Sequence, residues 1–457
     1  MMKMKKIAAL LLTAGISASA FATDGYFAHG YGMKAKGMGG AATAMASDAM
    51  GGANNPASMV WAGDRLDIGL DLFAPKRSIS RTGSGAVGID GSSNSGSNLF
   101  YVPEFGYNKM MGWDMSAGIT VYGNGGMNTD YQGGELGNAA TCGTGAGGFN
   151  QASQQAGPYN LLCGAGRLGM NLEQLIIAPT FAMKVNKQHS FGASLLIGYQ
   201  KFRAYGLSSF YGYTPNAANP YATNNFVSDR GDDTSWGYGL KFGWMGKVSD
   251  AVTLGASYTT KMKMQKFDKY KDLFAEEGGF DMPESLNLGI AVKATPVLTI
   301  AADYQRINYG DVKSVANSSR MPLDPAIGPG GAGIANSLGC STCRGFGWSS
   351  VDVIKLGVEY QYSSNLVLRA GYNHTDNPIQ SRDVTFNMIA PGVVQDHVTL
   401  GFTYNVSKDS ELTMSYMHAY KNSVSGLSLF NSWTGGTAVD KIEMSQDSLG
   451  IAYGMKF

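Results

Sequence analysis

From residue 64 to the end of the chain, apolar and polar side chains alternate with period two in stretches of about 8–12 residues, each closed by a turn or a loop. In SWGYGLKFGWM, Trp236, Tyr238, Leu240, Phe242 and Trp244 share one face, opposite Gly237, Gly239, Lys241 and Gly243. In HVTLGFTYNV, Val398, Leu400, Phe402, Tyr404 and Val406 oppose His397, Thr399, Gly401, Thr403 and Asn405. Successive strand side chains point to opposite faces, so each stretch reads as a β-strand with one apolar side. A soluble antiparallel sheet alternates too, and what separates the two readings is the number and length of the strands.

About fourteen segments approach the ~9–11 residues that a tilted membrane strand needs, and bacterial barrels carry an even number. They are 64–80, 98–110, 113–131, 168–186, 189–206, 233–248, 251–268, 281–295, 297–315, 348–363, 365–376, 395–407, 410–423 and 442–457. Short turns (186–189, 248–251, 293–297, 363–365, 407–410) alternate with long stretches rich in Gly, Asn, Ser and Pro (132–167, 207–232, 316–347, 377–394, 424–441). Short turns on one side and long loops on the other are the asymmetry of an outer-membrane barrel with its long loops outside the cell. The last segment, SLGIAYGMKF, sets Leu449, Ile451, Tyr453, Met455 and Phe457 on the lipid face and ends on an aromatic residue. Only closure hides the sheet edges from lipid, where an unpaired backbone group is costly.

Residues 23–63 break this pattern. They are rich in Gly and Ala and have no period-two alternation. GGAATAMASD (39–48) predicts a short helix, and Asn55-Pro56 reads as a helix start, with Asn as cap and Pro in the first turn. Met33, Met38, Met45, Met50, Met59 and Trp61 give the segment an apolar surface that a barrel lumen would bury. A disordered exported tail is the competing expectation, and the low charge of the segment argues against it.

Composition narrows the class. The chain opens with Lys3, Lys5 and Lys6, an apolar run from Ile7 to Leu12, and Ala20-Phe21-Ala22, which reads as a secretory leader over 1–22. No later stretch has the uninterrupted apolar length of a spanning helix. Charged residues are 15% of the chain, glycines number 63, and the net charge of +1 points to no nucleic-acid partner. The division that follows is a leader (1–22), a plug (23–63) and a barrel (64–457). Cys142, Cys163, Cys340 and Cys343 fall in Gly-rich loop stretches, as loop disulfides Cys142–Cys163 and Cys340–Cys343 would; a redox or metal role for CSTC is the alternative. The five histidines are dispersed, and neither H-E-x-x-H nor G-x-S-x-G occurs, so the sequence offers no catalytic cluster. No cofactor is implied.

Three stretches together resemble the FadL/TodX family of outer-membrane channels for fatty acids and hydrocarbons. They are GYGMKAKGMGGAATAMASDAMGGANNPASM, GGFDMPESLNLGIAVKATPVLTIAADYQRINYGDV, and LRAGYNHTDNPI with FNMIAPGVVQDHVTLGFTY. The resemblance implies a fourteen-stranded antiparallel β-barrel plugged by a small, partly helical N-terminal hatch. It also implies passive uptake of hydrophobic molecules with sideways release into the membrane. The partners expected are an apolar ligand, outer-membrane lipid and lipopolysaccharide, and the barrel-assembly machinery that reads a terminal strand such as the one bearing Tyr453, Met455 and Phe457. The protein is expected to be a monomer and no enzyme. An adhesin or surface receptor with a permanently closed plug is the alternative.

Site expectations follow. Met50, Asn54, Asn55, Pro56, Ala57 and Met59 end the hatch. In the third strand alternation runs through Tyr122 and then meets Gly123, Asn124, Gly125 and Gly126; glycine inside a strand marks a bulge or bend, and the resemblance favours an inward kink over an ordinary loop. Phe210, Tyr211, Tyr213, Tyr221 and Phe226, with Tyr270, Leu273, Phe274 and Phe280, crowd two loops, either as an exposed groove for apolar ligands or as membrane-interface aromatics. Lys201 and Arg203 share a parity with Tyr199 that points them to the lumen, where they would meet a fatty-acid carboxylate or be satisfied by barrel carboxylates.

Overall fold

Period-two alternation becomes a closed wall. The computed structural model describes residues 23–213, 226–319 and 338–457. The leader expected at 1–22 lies outside the described residues. The strands are β1 (Arg65–Thr82), β2 (Gly91–Asn94), β3 (Phe100–Met110), β4 (Met115–Tyr131), β5 (Leu168–Lys184), β6 (His189–Tyr205), β7 (Asp233–Lys247) and β8 (Val252–Thr259). They continue as β9 (Lys263–Met264), β10 (Ser285–Thr295), β11 (Leu298–Ile307), β12 (Val351–Gln361), β13 (Leu366–Thr375), β14 (Asp396–Asn405), β15 (Ser410–Leu427) and β16 (Val439–Lys456).

Leaving aside the short β2 and β9, fourteen strands among the described residues form the wall, each antiparallel to its chain neighbour. β16 returns to β1 in continuous register from Arg65↔Lys456 to Thr82↔Val439, so the sheet has no free edge there. Side chains sort by parity. Leu400 on β14 is 61% exposed and faces lipid, whereas His397 on the same strand is fully buried and faces the lumen. Tyr453, Met455 and Phe457 lie outward as well.

Two strands are shorter than their sequence pattern. The segment expected over 251–268 ends at Thr259, and the one over 297–315 ends at Ile307. Past these points the chain turns inward. Met262 pairs with Met282, and Tyr309 is buried with its hydroxyl on the backbone of the N-terminal segment.

Residues 23–63 lie inside the ring. The helix expected at 39–48 does not form; a four-residue helix, α1 (Met33–Lys36), stands just before it. Gly39 and Gly40 have φ of 66° and 88°, outside helical backbone. The amides of Ala42 and Thr43 donate to Asp303 Oδ2 on β11 at 2.8 Å each instead of closing helical turns. Asn55 has extended backbone and accepts from Ala57 N at 3.1 Å, with Pro56 opening a single turn that continues into α2 (Met59–Ala62).

Lumen-facing glycines let this segment touch the wall. A β-carbon on Gly125 would stand 1.8 Å from Tyr26 O, and one on Gly371 would stand 2.1 Å from Gly39 N. Glycine is required where two backbones approach this closely.

Candidate functional site

The lower lumen, at the end with short turns, is held by charge. Lys36 Nζ on α1 donates to Asp71 Oδ2 at 2.7 Å and lies 3.7 Å from Glu104 Oε2. Lys34 Nζ lies 2.6 Å from Glu411 Oε1, which also meets Arg65 Nη2 at 2.6 Å. Glu104 further accepts from Gly32 N and Met33 N. Burial works against a charged Lys36, yet the Asp71 and Glu104 carboxylates outweigh it and hold its pKa above the ordinary value. On the opposite wall Lys355 Nζ donates to His29 O at 2.8 Å and lies 3.5 Å from Asp24 Oδ2.

The hatch residues named from sequence sit in this lower region. Met50, Asn55, Pro56, Ala57 and Met59 are buried, and Asn54 is half-buried. Asn55 Nδ2 donates to Thr43 O at 2.7 Å and to Trp244 O of β7 at 2.9 Å, which ties the capped turn to the wall. Asn54 Nδ2 donates to Tyr31 O at 2.8 Å.

Higher up, the pairing of β3 with β4 ends. The β3–β4 ladder runs from Met110↔Ser116 to Glu104↔Tyr122 and stops there. β4 continues to Tyr131 paired to β5, with a register shift between Gly123 and Gly125. Asn124 is the extra residue. Lumen-facing parity is even before it (Ser116, Thr120, Tyr122) and odd after it (Met127, Thr129, Tyr131), as expected when one residue is inserted into a strand. The N-terminal segment lies against the freed backbone: Ala28 N donates to Asn124 O at 3.2 Å and Gly126 N to Tyr26 O at 3.0 Å. Tyr31 donates its hydroxyl to Asn124 O at 3.1 Å, and its ring lies 4.6 Å from that of Tyr122.

Among the described residues, the aromatic loops do not form an exposed groove. Phe210, Tyr270, Leu273, Phe274 and Phe280 are buried in one apolar cluster with Phe202, Phe267, Tyr26, Tyr309 and Trp348. Tyr211 and Phe226 are half-buried. Tyr221 and the side chain of Tyr213 lie outside the described residues. The loops fold inward because so many rings on one side of the barrel find their burial over the lumen rather than at its rim. A cavity under them is lined by Leu207, Phe210, Val227, Phe274, Phe346 and Phe386.

Lys201 and Arg203 correct the parity expectation. On β6 the buried positions are Gln200, Phe202 and Ala204, so the two cations face outward. Lys201 Nζ lies 3.6 Å and Arg203 Nε 3.8 Å from Asp232 in the neighbouring loop. The apolar Phe202 ring takes the lumen because the aromatic cluster receives it there, against Tyr270 at 4.7 Å and Phe274 at 4.6 Å.

Cys142 is bonded to Cys163 and Cys340 to Cys343.

Several residues that build the site escaped the sequence reading. Asp71, Glu104, Asp303 and Lys355 are charged residues at lumen parity within membrane strands, and Tyr309 lies just beyond β11. A lone charge on the non-lipid face of a membrane strand was the available signal.

The closed wall, its lipid-facing apolar band and a lumen filled by the chain's own N-terminus define an outer-membrane channel. The chain belongs to the family described as outer membrane protein transport protein (OMPP1/FadL/TodX), whose profile matches residues 163–455. It is similar in structure to the Pseudomonas putida toluene transporter TodX at 18% identity, covering 96% of this chain and all of that one, with a TM-score of 0.62. A Pseudomonas aeruginosa FadL homologue is similar at 14% identity with a TM-score of 0.65, and the Ralstonia pickettii toluene transporter TbuX at 16% with 0.59. Each of these two covers 94% of this chain and 99% of its own. No curated protein matches in sequence. The protein is thus an outer-membrane β-barrel of a family of transport channels rather than of enzymes.

Proposed function

We propose that the protein takes up hydrophobic small molecules by passive diffusion and releases them sideways into the outer membrane through the opening at β4. Apolar ligands collect against the aromatic cluster under the loops, descend as the N-terminal hatch rearranges, and leave where the β3–β4 ladder ends. No energy source is needed, because transfer of an alkyl chain from water to lipid is downhill by ~0.8 kcal/mol per CH₂. A sideways route suits such a ligand, since a polar axial pore offers an alkyl chain nothing.

The observation that carries this reading is the end of β3–β4 pairing at Tyr122, with the bulged Asn124 turning the rest of β4 away from β3. Deleting Asn124 tests it. Because the bulge exchanges parity, the deletion straightens β4 while leaving Met127, Thr129 and Tyr131 on their present face. Uptake of labelled oleate and toluene should collapse in cells carrying the deletion, while the barrel still assembles and shifts on heating in a gel. Unchanged uptake would remove the opening from the mechanism. If uptake is indifferent even to loss of the whole protein, the barrel is a surface receptor with a closed plug.

A further inference from the structure

The outward face of the wall changes chemistry at one level. On β1 the outward residues are apolar from Leu66 to Ala74 and polar from Lys76 to Thr82. On β16 they are apolar from Met455 back to Leu449 and polar from Asp447 to Lys441. Tyrosine–carboxylate pairs mark this level around the wall. Tyr258 donates to Glu284 at 2.6 Å, Tyr304 to Asp352 at 2.7 Å and Tyr416 to Asp447 at 2.8 Å, and Tyr372 pairs with Asp396 in the same way. An apolar ring with a bonded hydroxyl suits the boundary between hydrocarbon and headgroups, so the row places the upper edge of the lipid tails. β1, β15 and β16 run past it to Thr82, Leu427 and Val439. On β16 the eight residues beyond Asp447 rise about 20 Å into the headgroup layer.

A groove is cut into this raised face. β1 pairs with β3 only as far as Phe73 and with β2 only from Ser78, which leaves a notch beside Lys76. The notch opens into a cavity of about 360 Å³, lined in part by Lys76, Ser78, Asn94, Asn98, Lys421 and Glu443, a size suited to a small-molecule headgroup. Its charges do not balance. Lys421 and Lys441 both pair with Glu443, so one carboxylate serves two ammonium groups. Lys76 is exposed and makes no ion pair among the described residues. Asp447, which feels Lys76 electrostatically, is already bonded to Tyr416 and His418. Asn94 and Asn98 present exposed amides at the rim. Directly below the lysines lies an apolar stripe, Ile68 and Leu70 on β1 with Leu449 and Ile451 on β16, each 37–47% exposed.

We propose that the outward face of β15, β16 and β1 binds the phosphorylated sugar headgroup of an outer-leaflet glycolipid, lipopolysaccharide, at this groove. Lys76, Lys421 and Lys441 hold the phosphate through charge-assisted hydrogen bonds. Asn94 and Asn98 meet sugar hydroxyls, and the acyl chains lie on the stripe below. A soluble anion would use the lysines and leave the stripe bare. Cations stacked directly above exposed apolar surface fit a lipid, whose charge and tails are disposed in the same order. The site lies on the outside of the barrel and is independent of the uptake route.

Binding of diphosphorylated lipid A and of its dephosphorylated form to the purified full-length protein, in detergent with a chelator present, tests the site. The wild type should prefer the phosphorylated form by about tenfold or more. Lys76→Gln should lower that preference severalfold, and the triple variant Lys76→Gln, Lys421→Gln, Lys441→Gln should abolish it. Lys187→Gln with Lys408→Gln, in exposed turns at the opposite end of the barrel, should leave it unchanged. All five lysines carry exposed side chains, so each variant should still assemble and shift on heating in a gel. Equal affinity of the wild type for the two forms, or a preference that survives the triple variant, would overturn the assignment. Displacement of lipid A by millimolar inorganic phosphate would also overturn it, by giving the lysines to a soluble anion.

Discussion

The two halves of the lumen hold the N-terminal segment by opposite physics. At the end with short turns, backbone amides and lysines of the segment are bonded to barrel carboxylates: Lys36 to Asp71, Lys34 to Glu411, Ala42 and Thr43 to Asp303, Ala49 to Asp67. At the end with long loops, Tyr26 and Phe27 lie among rings, with Tyr26 centroids 5.0 Å from Tyr309, 5.8 Å from Trp348 and 6.0 Å from Phe280. Directional bonds to buried charges hold one geometry and fail sharply when a partner is lost. Contacts between rings are individually weak and tolerate small displacements more evenly. The lower half therefore holds one geometry, and the upper half tolerates small displacements of the segment.

The sharpest way to break the contrast is Lys36→Met. It leaves Asp71 and Glu104 buried without their cation, and docking of the hatch should weaken by about 3–5 kcal/mol. Single-channel conductance should rise as the hatch leaves its seat. Replacing Asp71 and Glu104 by apolar residues in the same variant should recover much of the loss; no recovery would mean that shape rather than charge anchors the segment.

Tyr309→Phe probes the junction of the two halves. The Tyr309 hydroxyl accepts from Tyr26 N at 3.1 Å and Phe27 N at 3.3 Å and donates to Asp24 O. Without it, local stability should fall by about 1–3 kcal/mol, read as faster hydrogen exchange at those two amides with little change elsewhere. Asn55→Ala is milder. It removes one cap bond and the ties to Thr43 O and Trp244 O, at about 1–2 kcal/mol, and should loosen the turn at Pro56 without releasing α1.

The smallest effect is a slope with pH. Burial, and then the neighbouring His397, Lys36 and Lys355, hold the pKa of His29 well below its ordinary 6.5. Docked His29 therefore binds fewer protons than free His29, so its contribution is fully present above pH 6.5 and declines as the pH falls below that value. Burial of Asp24 acts the other way, since it raises that carboxyl above the ordinary value despite Lys355. The difference between wild type and His29→Gln isolates the histidine: hatch docking in the variant should lose less between pH 7 and pH 5. Equal slopes would place the acid sensitivity elsewhere.

Much of the architecture was legible along the chain because a barrel repeats one local rule. Alternation told which residues face lipid on β7, β14 and β16, since the side-chain period of a strand is a property of the backbone alone. Turn and loop chemistry separated the end with short turns from the end with long loops, and the Asn55-Pro56 signature gave a local turn whose bonds are made within three residues. The glycines from Gly123 to Gly126 marked an irregularity in β4. That its outcome is a broken ladder, with Tyr26 and Ala28 laid against the freed backbone, depends on partners about a hundred residues away.

Parity misled at Lys201 and Arg203. Alternation defines two faces, but which one points inward at the rim, beyond the lipid, is decided by what the lumen accepts. There the cluster of Phe267, Tyr270 and Phe274 accepts Phe202. The same reason explains the absent helix at 39–48, where Asp303 competes for amides that helix propensity would have used. Strand period and turn chemistry are local, so the sequence by itself determined a membrane barrel preceded by a segment that cannot pair as strands. The charge pairs and the seat of the hatch depend on which lumen-facing side chains closure brings together, and only the tertiary structure decided them.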